Sequence, residues 1–316
     1  MTRRLGVVMD AVSHIKGYKD TTVGLLREAQ RRGYEIDYLE VGDLELHKQD
    51  LVARARPLEI LASDQAWYRL GAAREIAVRD LDVVLMRKDP PFNMNYIYTT
   101  YLLEHAERAG VLVVNKPASL RDANEKLFAT WFPECTPPTL VTCRHAALRA
   151  FLDEHQDIVV KPLDGMGGAS IFRVTKDDPN RNVIFETITD YEQRFMMAQR
   201  YLPAIREGDK RILMIDGQPV PYAVARIPAP GETRGNLAAG GRAVPQPLSE
   251  SDRRICATVG PALRDKGLLF VGLDVIGEAL TEINVTSPTG MRELEAAGHR
   301  DIAGRLFEAI EQRIGG

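Results

Sequence analysis

The segment Leu280–Pro288 has the sequence Leu-Thr-Glu-Ile-Asn-Val-Thr-Ser-Pro and carries two polar side chains on one face of a predicted strand. Glu282 and Asn284 alternate with apolar residues, and side chains two positions apart in a strand point to the same side. Asp274 lies inside a second apolar run, Leu268–Ile276. An isolated buried charge is costly, so carboxylates in apolar strands need a partner. Two carboxylates and a carboxamide suit Mg²⁺ that carries nucleotide phosphates, and the pattern therefore predicts a metal site on two neighbouring strands. At this point the alternative, an ordinary hairpin with a solvated polar face, remains open.

A glycine-rich segment follows a predicted strand that contains a lysine. The strand is Asp157–Pro162, the lysine is Lys161, and the segment Leu163–Ser170 precedes another strand, Ile171–Val174. The backbone N–H groups of such a segment can form a concavity for phosphate, and the lysine can add a point charge. No Walker A motif and no Gly-x-Gly-x-x-Gly after the first strand occur in the sequence, so the more common nucleotide-binding folds are disfavoured.

The window 228–242 contains four glycines, two prolines and two arginines. This composition lacks apolar periodicity and predicts a surface loop over 227–243. A loop of this length in a compact domain is usually functional, so we predict a lid, although an insertion without a role is the alternative. Arg234 on a closing lid would neutralise charge on a reacting phosphate, and closure would exclude water.

Composition restricts the class of protein. The 316 residues include 41 basic and 44 acidic side chains, which gives a net charge of −3 and argues against a nucleic-acid partner. The first apolar run stops at Asp10, too early for a signal peptide, and no run is long enough to span a membrane, so a cytoplasmic protein is expected. Cys135, Cys143 and Cys256 form no Cys-x-x-Cys pair, and we interpret them as reduced structural thiols.

The N-terminal third alternates predicted strands and helices, which is typical of an open, mostly parallel α/β sheet. Ligands of such sheets bind beyond the carboxyl ends of the strands, where Asp10, Arg87 and Asn115 occur. A central lobe is predicted to follow from about Asn124, and a larger C-terminal sheet from Asp209. The predicted strands are 5–9, 34–41, 81–86 and 111–115, and the predicted helices are 21–32 and 95–109.

Six runs, in order along the chain, resemble bacterial glutathione synthetase, a family of ATP-grasp ligases. They are Met86–Phe92, Val114–Pro117, Asn124–Leu127, Lys161–Gly168, Gly231–Gly241 and Thr281–Pro288. The resemblance implies an α/β ATP-grasp fold with an N-terminal open parallel α/β (pre-ATP-grasp) domain. It implies an N-terminal substrate domain at 1–123, a central ATP-grasp lobe with the glycine loop at 124–203, and a C-terminal lobe with the metal ligands and the lid at 204–316.

The resemblance also implies the reaction. ATP would serve as co-substrate, and γ-L-glutamyl-L-cysteine would be activated as an acyl phosphate and ligated to glycine, giving glutathione, ADP and phosphate. Two Mg²⁺ ions, with Mn²⁺ possible, and a cytoplasmic homotetramer without nucleic-acid or membrane partners would be expected. A different carboxylate–amine ligase and a non-catalytic ATP-binding regulator are alternatives. The run Arg87–Phe92 argues against the first, and the presence of every metal ligand and of Arg234 argues against the second.

Roles for particular residues follow from the same resemblance. The expected nucleotide contacts are Lys126, Lys161, Gly165, Gly167, Gly168, Gln199, Tyr201, Leu202, Asp209 and Arg211. The expected catalytic cations are Arg211, Arg226 and Arg234. The expected substrate contacts are Arg87, Asn115, Ser287, Arg292, Gly240 and Gly241. The expected metal ligands are Asp274, Glu282 and Asn284.

Overall fold

Three β-sheets follow one another along the chain in the computed structural model, which describes residues 2–63, 65–165, 167–229, 241–299 and 301–315. The first sheet contains β1 (Arg4–Val8), β2 (Glu35–Leu39), β3 (Leu44–His47), β4 (Asp50–Ile60), β5 (Tyr68–Leu70), β6 (Arg74–Ala77), β7 (Val83–Met86) and β8 (Leu112–Val114). Its helices are α1 (Thr21–Arg31), α2 (Met94–Arg108) and α3 (Pro117–Asp122). The order of the main path is β3-β4-β2-β1-β7-β8, and β5 and β6 both pair with β4.

The central part of this sheet is parallel, as the sequence predicts. Strands β2, β1, β7 and β8 pair in parallel, and every residue of β7 is buried, as expected for a strand covered on both faces. Local caps begin the covering helices: Asp20 accepts hydrogen bonds from two backbone N–H groups of α1, and Asn93 accepts one from α2.

An antiparallel extension over 44–77 was not predicted. Strand β4 pairs antiparallel with β2, β3, β5 and β6, so the sheet is less uniformly parallel than expected. The sequence pattern of these strands is weak because β5 and β6 are short, and because β4 is charged at its exposed positions and includes Pro57.

The second sheet is antiparallel and small. It contains β9 (Thr139–Thr142), β10 (Asp157–Pro162), β11 (Phe172–Thr175) and β12 (Met196–Arg200) in the order β11-β10-β12-β9. Helices α4 (His145–His155) and α5 (Arg181–Thr189) cover it. Leu148 and Leu152 of α4 pack with Phe185 of α5 against Ile158 and Val160 of the sheet, so this lobe has its own core.

The third sheet is also antiparallel and follows the order β15-β14-β13-β16-β17. Its strands are β13 (Asp209–Ile215), β14 (Gln218–Ile227), β15 (Arg242–Pro247), β16 (Phe270–Ile276) and β17 (Ala279–Asn284). Three helices accompany it: α6 (Glu250–Asp265), α7 (Met291–Ala296) and α8 (Ile302–Ile314). Ser249 and Asp252 form a reciprocal capping box at the start of α6.

Helix α8, which belongs to the predicted C-terminal lobe at 204–316, packs on the N-terminal domain as well as on β13 of the third sheet. Phe307 lies 5.5 Å from Tyr34, ring centroid to ring centroid, and Glu311 forms an ion pair with Arg32 at 2.8 Å. The amphipathic pattern of α8 predicts a buried face but does not indicate which element covers it. Within the described ranges, no helix has the length and apolarity needed to cross a membrane.

Candidate active site

A cleft lies between the second and third sheets, with one edge formed by the N-terminal domain. It brings together every predicted nucleotide and metal residue and those predicted catalytic cations that the structure describes. These lining residues are Lys126, Lys161, Gly165, Gly167, Gly168, Gln199, Tyr201, Leu202, Asp209, Arg211, Arg226, Asp274, Glu282 and Asn284. Ser287 also lines the cleft. Arg234 and Gly240 lie outside the described residues, and Gly241 adjoins β15 at the edge of them.

The pairing of β16 with β17 aligns the predicted metal ligands. Asp274 is directly opposite Glu282, and Gly272 is directly opposite Asn284. Residues two apart share a face, so the two carboxylates and the amide lie on the same side of the hairpin. Gly272 leaves space there, because a Cβ at this position would lie 2.8 Å from Cδ of Arg211.

Protein cations neutralise both carboxylates. Arg211 contacts Asp274 through Nε–Oδ1 at 2.5 Å and Nη2–Oδ2 at 3.1 Å, and Arg226 reaches the same Oδ2 at 2.9 Å. Lys126 Nζ lies 3.0 Å from Glu282 Oε1. Burial alone would raise the pKa of the Asp274 carboxyl, but Arg211 and Arg226 outweigh it and hold that pKa below its usual range.

Two buried lysines face the cleft from the side of the central lobe. Lys126 Nζ donates to the Gly165 carbonyl oxygen at 2.7 Å, and Lys161 Nζ donates to the Thr281 carbonyl oxygen at 3.3 Å. Burial lowers the pKa of Lys161 to about 8, although Glu282 opposes the change. Among the described residues, Lys161 Nζ is hydrogen-bonded only to this carbonyl oxygen. A buried ammonium group with such a partner favours an anionic ligand.

The glycine loop has a backbone that needs glycine. Gly167 and Gly168 have φ values of +65° and +79°, the left-handed region that side chains disfavour. Among the described residues other than its chain neighbours, no atom lies within 4 Å of a Cβ built on Gly167, so the requirement there is one of conformation and not of space. Such a loop can present backbone N–H groups to phosphate.

Four of the predicted substrate contacts that the structure describes do not line the cleft: Asn115, Arg292, Arg87 and Gly241. Asn115 donates to the carbonyl oxygens of Phe270 and Val285 at 2.8 and 2.7 Å and accepts from the Phe270 N–H at 2.9 Å. Both amide hydrogens are therefore used to join the N-terminal domain to the third sheet. Arg292 forms an ion pair with Glu295 along α7 at 2.7 Å.

Arg87 is the third of these residues. Its buried guanidinium donates to Thr22 Oγ1 and to the Pro288 carbonyl oxygen, both at 3.1 Å, and has no carboxylate at ion-pair distance among the described residues. It lines a small separate cavity with Asn115, and Thr286 borders both that cavity and the cleft. A buried cation without a counterion indicates that an anion belongs beside it.

Sequence reasoning missed two acidic residues at the cleft, Asp89 and Glu125. Both lie in runs that carry the family resemblance, but neither had a sequence-level reason for a role of its own. Glu125 Oε1 accepts from the N–H groups of Val285 and Thr286 at 2.8 and 3.0 Å and from the Thr286 hydroxyl at 2.9 Å. These partners, two backbone N–H groups and one hydroxyl, lie about 160 residues away, and no local pattern reveals them.

Solved structures share this architecture. D-cycloserine synthetase DcsG superimposes with a TM-score of 0.69 at 17% identity, covering 98% of this chain and 99% of that chain. D-alanyl-alanine synthetase A from Vibrio cholerae gives a TM-score of 0.61 at 13% identity, covering all of both chains. The likeness to these structures establishes the fold, which is the predicted ATP-grasp fold. A model of an ATP-grasp domain matches residues 125–299, and this match makes the chain an ATP-dependent ligase.

Two further findings assign the chain to one family within this class of ligases. The model of the prokaryotic glutathione synthetase N-terminal domain matches residues 4–121, and the ATP-grasp model over 125–299 is that of the same family. Glutathione synthetase of Salmonella typhimurium is 59% identical over 311 residues, covering 98% of this chain and 99% of the relative. That of Vibrio cholerae is 57% identical over 311 residues, covering 98% of each. The chain belongs to the prokaryotic glutathione synthetase family.

Proposed function

We propose that the chain ligates γ-L-glutamyl-L-cysteine to glycine with ATP, producing glutathione, ADP and phosphate. The observation that carries the proposal is that the family relationship spans the N-terminal domain as well as the ATP-grasp part. The ATP-grasp lobes alone would support nucleotide use by any ligase of the class, whereas the N-terminal domain is where the substrate contacts are expected to differ.

The first step is acyl activation. An oxygen of the cysteinyl carboxylate attacks the γ-phosphorus in line, the bond to the bridging oxygen of ADP breaks, and an acyl phosphate forms. Lys126 and Lys161 hold the phosphates from the central lobe, while Arg211 and Arg226 neutralise charge from the third sheet. Asp209 adds a buried Oδ1 that has no partner among the described residues, a spare acceptor for a nucleotide hydroxyl.

Asp274, Glu282 and Asn284 are the residues that would hold two Mg²⁺ ions, with Mn²⁺ as the alternative. Their hard oxygen donors fit these ions, but in the part of the chain that the structure describes no group of three or more His, Cys, Asp or Glu side chains could hold a metal alone. Phosphate oxygens of the nucleotide would complete the ligand set. When bound, the ions supply neutralisation of the phosphate charge.

The second step is amide formation. The amine of glycine attacks the acyl carbon, the C–N bond forms, and phosphate leaves with the electron pair of the broken C–O bond. Arg87 would meet a carboxylate of the dipeptide, which supplies the counterion that its buried guanidinium lacks. Ser287 and Arg292 would hold the carboxylate of glycine, and the buried Nε of Arg292 has no hydrogen-bond partner among the described residues.

The lid and the assembly complete the proposal. The loop 227–243 would close over the acyl phosphate and bring Arg234 to it, with Gly240 and Gly241 at the substrate. The enzyme would be a cytoplasmic homotetramer with small-molecule partners only, as the resemblance implies. Light scattering of the purified protein measures the assembly.

The test is phosphate release from ATP and Mg²⁺ with both substrates present and with each omitted in turn, together with mass analysis of the product. We expect full release only with both substrates, and a product with the mass of glutathione. Phosphate release that does not depend on glycine or on γ-glutamylcysteine would refute the proposed reaction. The chain would then be an ATP-grasp ligase for another acid and amine.

A further inference from the structure

Five carboxylates line the cleft in the described part of the chain, and four of them are engaged. Asp274 and Asp209 pair with arginines, and Glu282 pairs with Lys126. Glu125 accepts three hydrogen bonds on one oxygen. The fifth, Asp89, has no cation at ion-pair distance among the residues described.

The backbone of Asp89 is held firmly while its carboxylate is left available. Its N–H donates to Asp10 Oδ2 at 3.0 Å, and its carbonyl oxygen accepts from Lys88 Nζ at 2.8 Å. Lys88 Nζ also forms an ion pair with Asp10 Oδ1 at 2.7 Å, so the ammonium group of Lys88 is already used. This clamp fixes the position of the residue just beyond the end of β7.

The surroundings of the carboxylate fit a group that binds a cation and takes up a proton. Burial raises the pKa of the half-buried Asp89 carboxyl, although the hydroxyl of Ser287 and the nearby Arg87 oppose the change. Ser287 is the residue at which the proposed function places glycine. A carboxylate that lies in the substrate cleft without a protein cation is complementary to an ammonium group.

We propose that Asp89 is a catalytic residue that binds the ammonium group of the acceptor amino acid and takes one proton from it. The inference rests on the proposed function, because it needs an amine that attacks an acyl phosphate. An ammonium nitrogen has no lone pair and cannot attack, so one proton must leave first. Asp89 accepts that proton, the neutral amine forms the C–N bond, the acyl C–O bond breaks, and the second proton leaves with the phosphate as hydrogen phosphate.

The experiment compares two acceptors in the variant Asp89→Asn. Glycine enters as an ammonium ion, whereas hydroxylamine is mostly uncharged near neutral pH and needs no base. We expect glutathione formation to fall about 100-fold or more, the usual scale of general-base loss, while hydroxamate formation with hydroxylamine stays near that of the unmodified enzyme. Asp89→Glu should recover part of the glycine reaction. The matched control is Asp177→Asn, which changes an exposed carboxylate outside the cleft.

Each outcome of this experiment either supports or overturns the proposed role of Asp89. A selective loss with glycine supports the role of Asp89, and the retained hydroxamate reaction shows that the variant is folded and still forms the acyl phosphate. Equal loss with both acceptors would overturn it in favour of a structural role or binding of the dipeptide ammonium, and no loss with either would also overturn it. Failure of the unmodified enzyme to form either product would instead refute the proposed function, and this inference with it.

Discussion

Replacement of Glu125 by alanine tests how the central lobe positions the segment after β17. One oxygen of Glu125 accepts hydrogen bonds from the N–H groups of Val285 and Thr286 and from the Thr286 hydroxyl. Val285 is fully buried, and Thr286 is 6% exposed, so both N–H groups are largely shielded from water that could replace the lost acceptor. The segment lies between Asn284 and Ser287, so its displacement would disturb both the metal ligands and the glycine contact.

The magnitude follows from the unpaired donors. Each buried N–H left without an acceptor costs about 1–3 kcal/mol, so the two backbone donors predict a loss of about 2–6 kcal/mol in Glu125→Ala. Displacement of a positioning segment by about 1 Å can lower turnover about 100-fold. Glu125→Gln keeps an acceptor oxygen and should lose much less of both stability and activity.

The assay combines thermal unfolding at a fixed scan rate with kcat at saturating substrates. Glu59→Ala is the matched control, because Glu59 takes part in an exposed pair with Arg69, for which a loss of about 0–1 kcal/mol is expected. If Glu125→Ala unfolds and turns over like the Glu59 control, the positioning role of Glu125 is refuted. If the glutamine variant is as damaged as the alanine variant, the negative charge and not the acceptor geometry is responsible.

Four further predictions concern charged residues of the proposed site. The KM for ATP should rise as the pH increases through about 8, because Lys161 then loses the charge that attracts phosphate, and Lys161→Arg should flatten this profile in steady-state assays. Since burial depresses the pKa of Lys161 from 10.5 to about 8, the unfolded chain takes up a proton at Lys161 in this range that the folded protein does not. The stability of the ligand-free protein should therefore fall as the pH decreases from about 10.5 to about 8, measurable by unfolding at several pH values. Asp274→Ala should abolish turnover and also destabilise the fold by about 3–5 kcal/mol, because Arg211 and Arg226 would be left as buried cations; an unchanged thermal midpoint would contradict the network. Arg234→Ala should leave ATP hydrolysis partly uncoupled from ligation, as the ratio of phosphate to glutathione would show, whereas tight coupling would count against the lid.

The sequence by itself determined the parts of this protein that depend on local pattern. Alternation along β17 places Glu282 and Asn284 on one face, and the apolar run of β16 brings Asp274 beside them. The clustered glycines predict the loop at 165–168, where left-handed backbone is indeed required. These features need only strand periodicity and backbone conformation, which neighbouring residues impose on one another.

Only the tertiary structure decided the features that join distant segments. Asn115 binds Phe270 and Val285, which lie 155 and 170 positions away, and no local pattern predicts these partners. The apolar face of helix α8 likewise packs against α1, a partner that the pattern of α8 alone does not indicate. The case of Asp89 is similar. Its proposed role depends on the observation that other cleft carboxylates, and not Asp89, pair with the nearby cations. Pairing over such distances depends on the packing of whole elements, and a single strand or helix pattern carries no information about its partner.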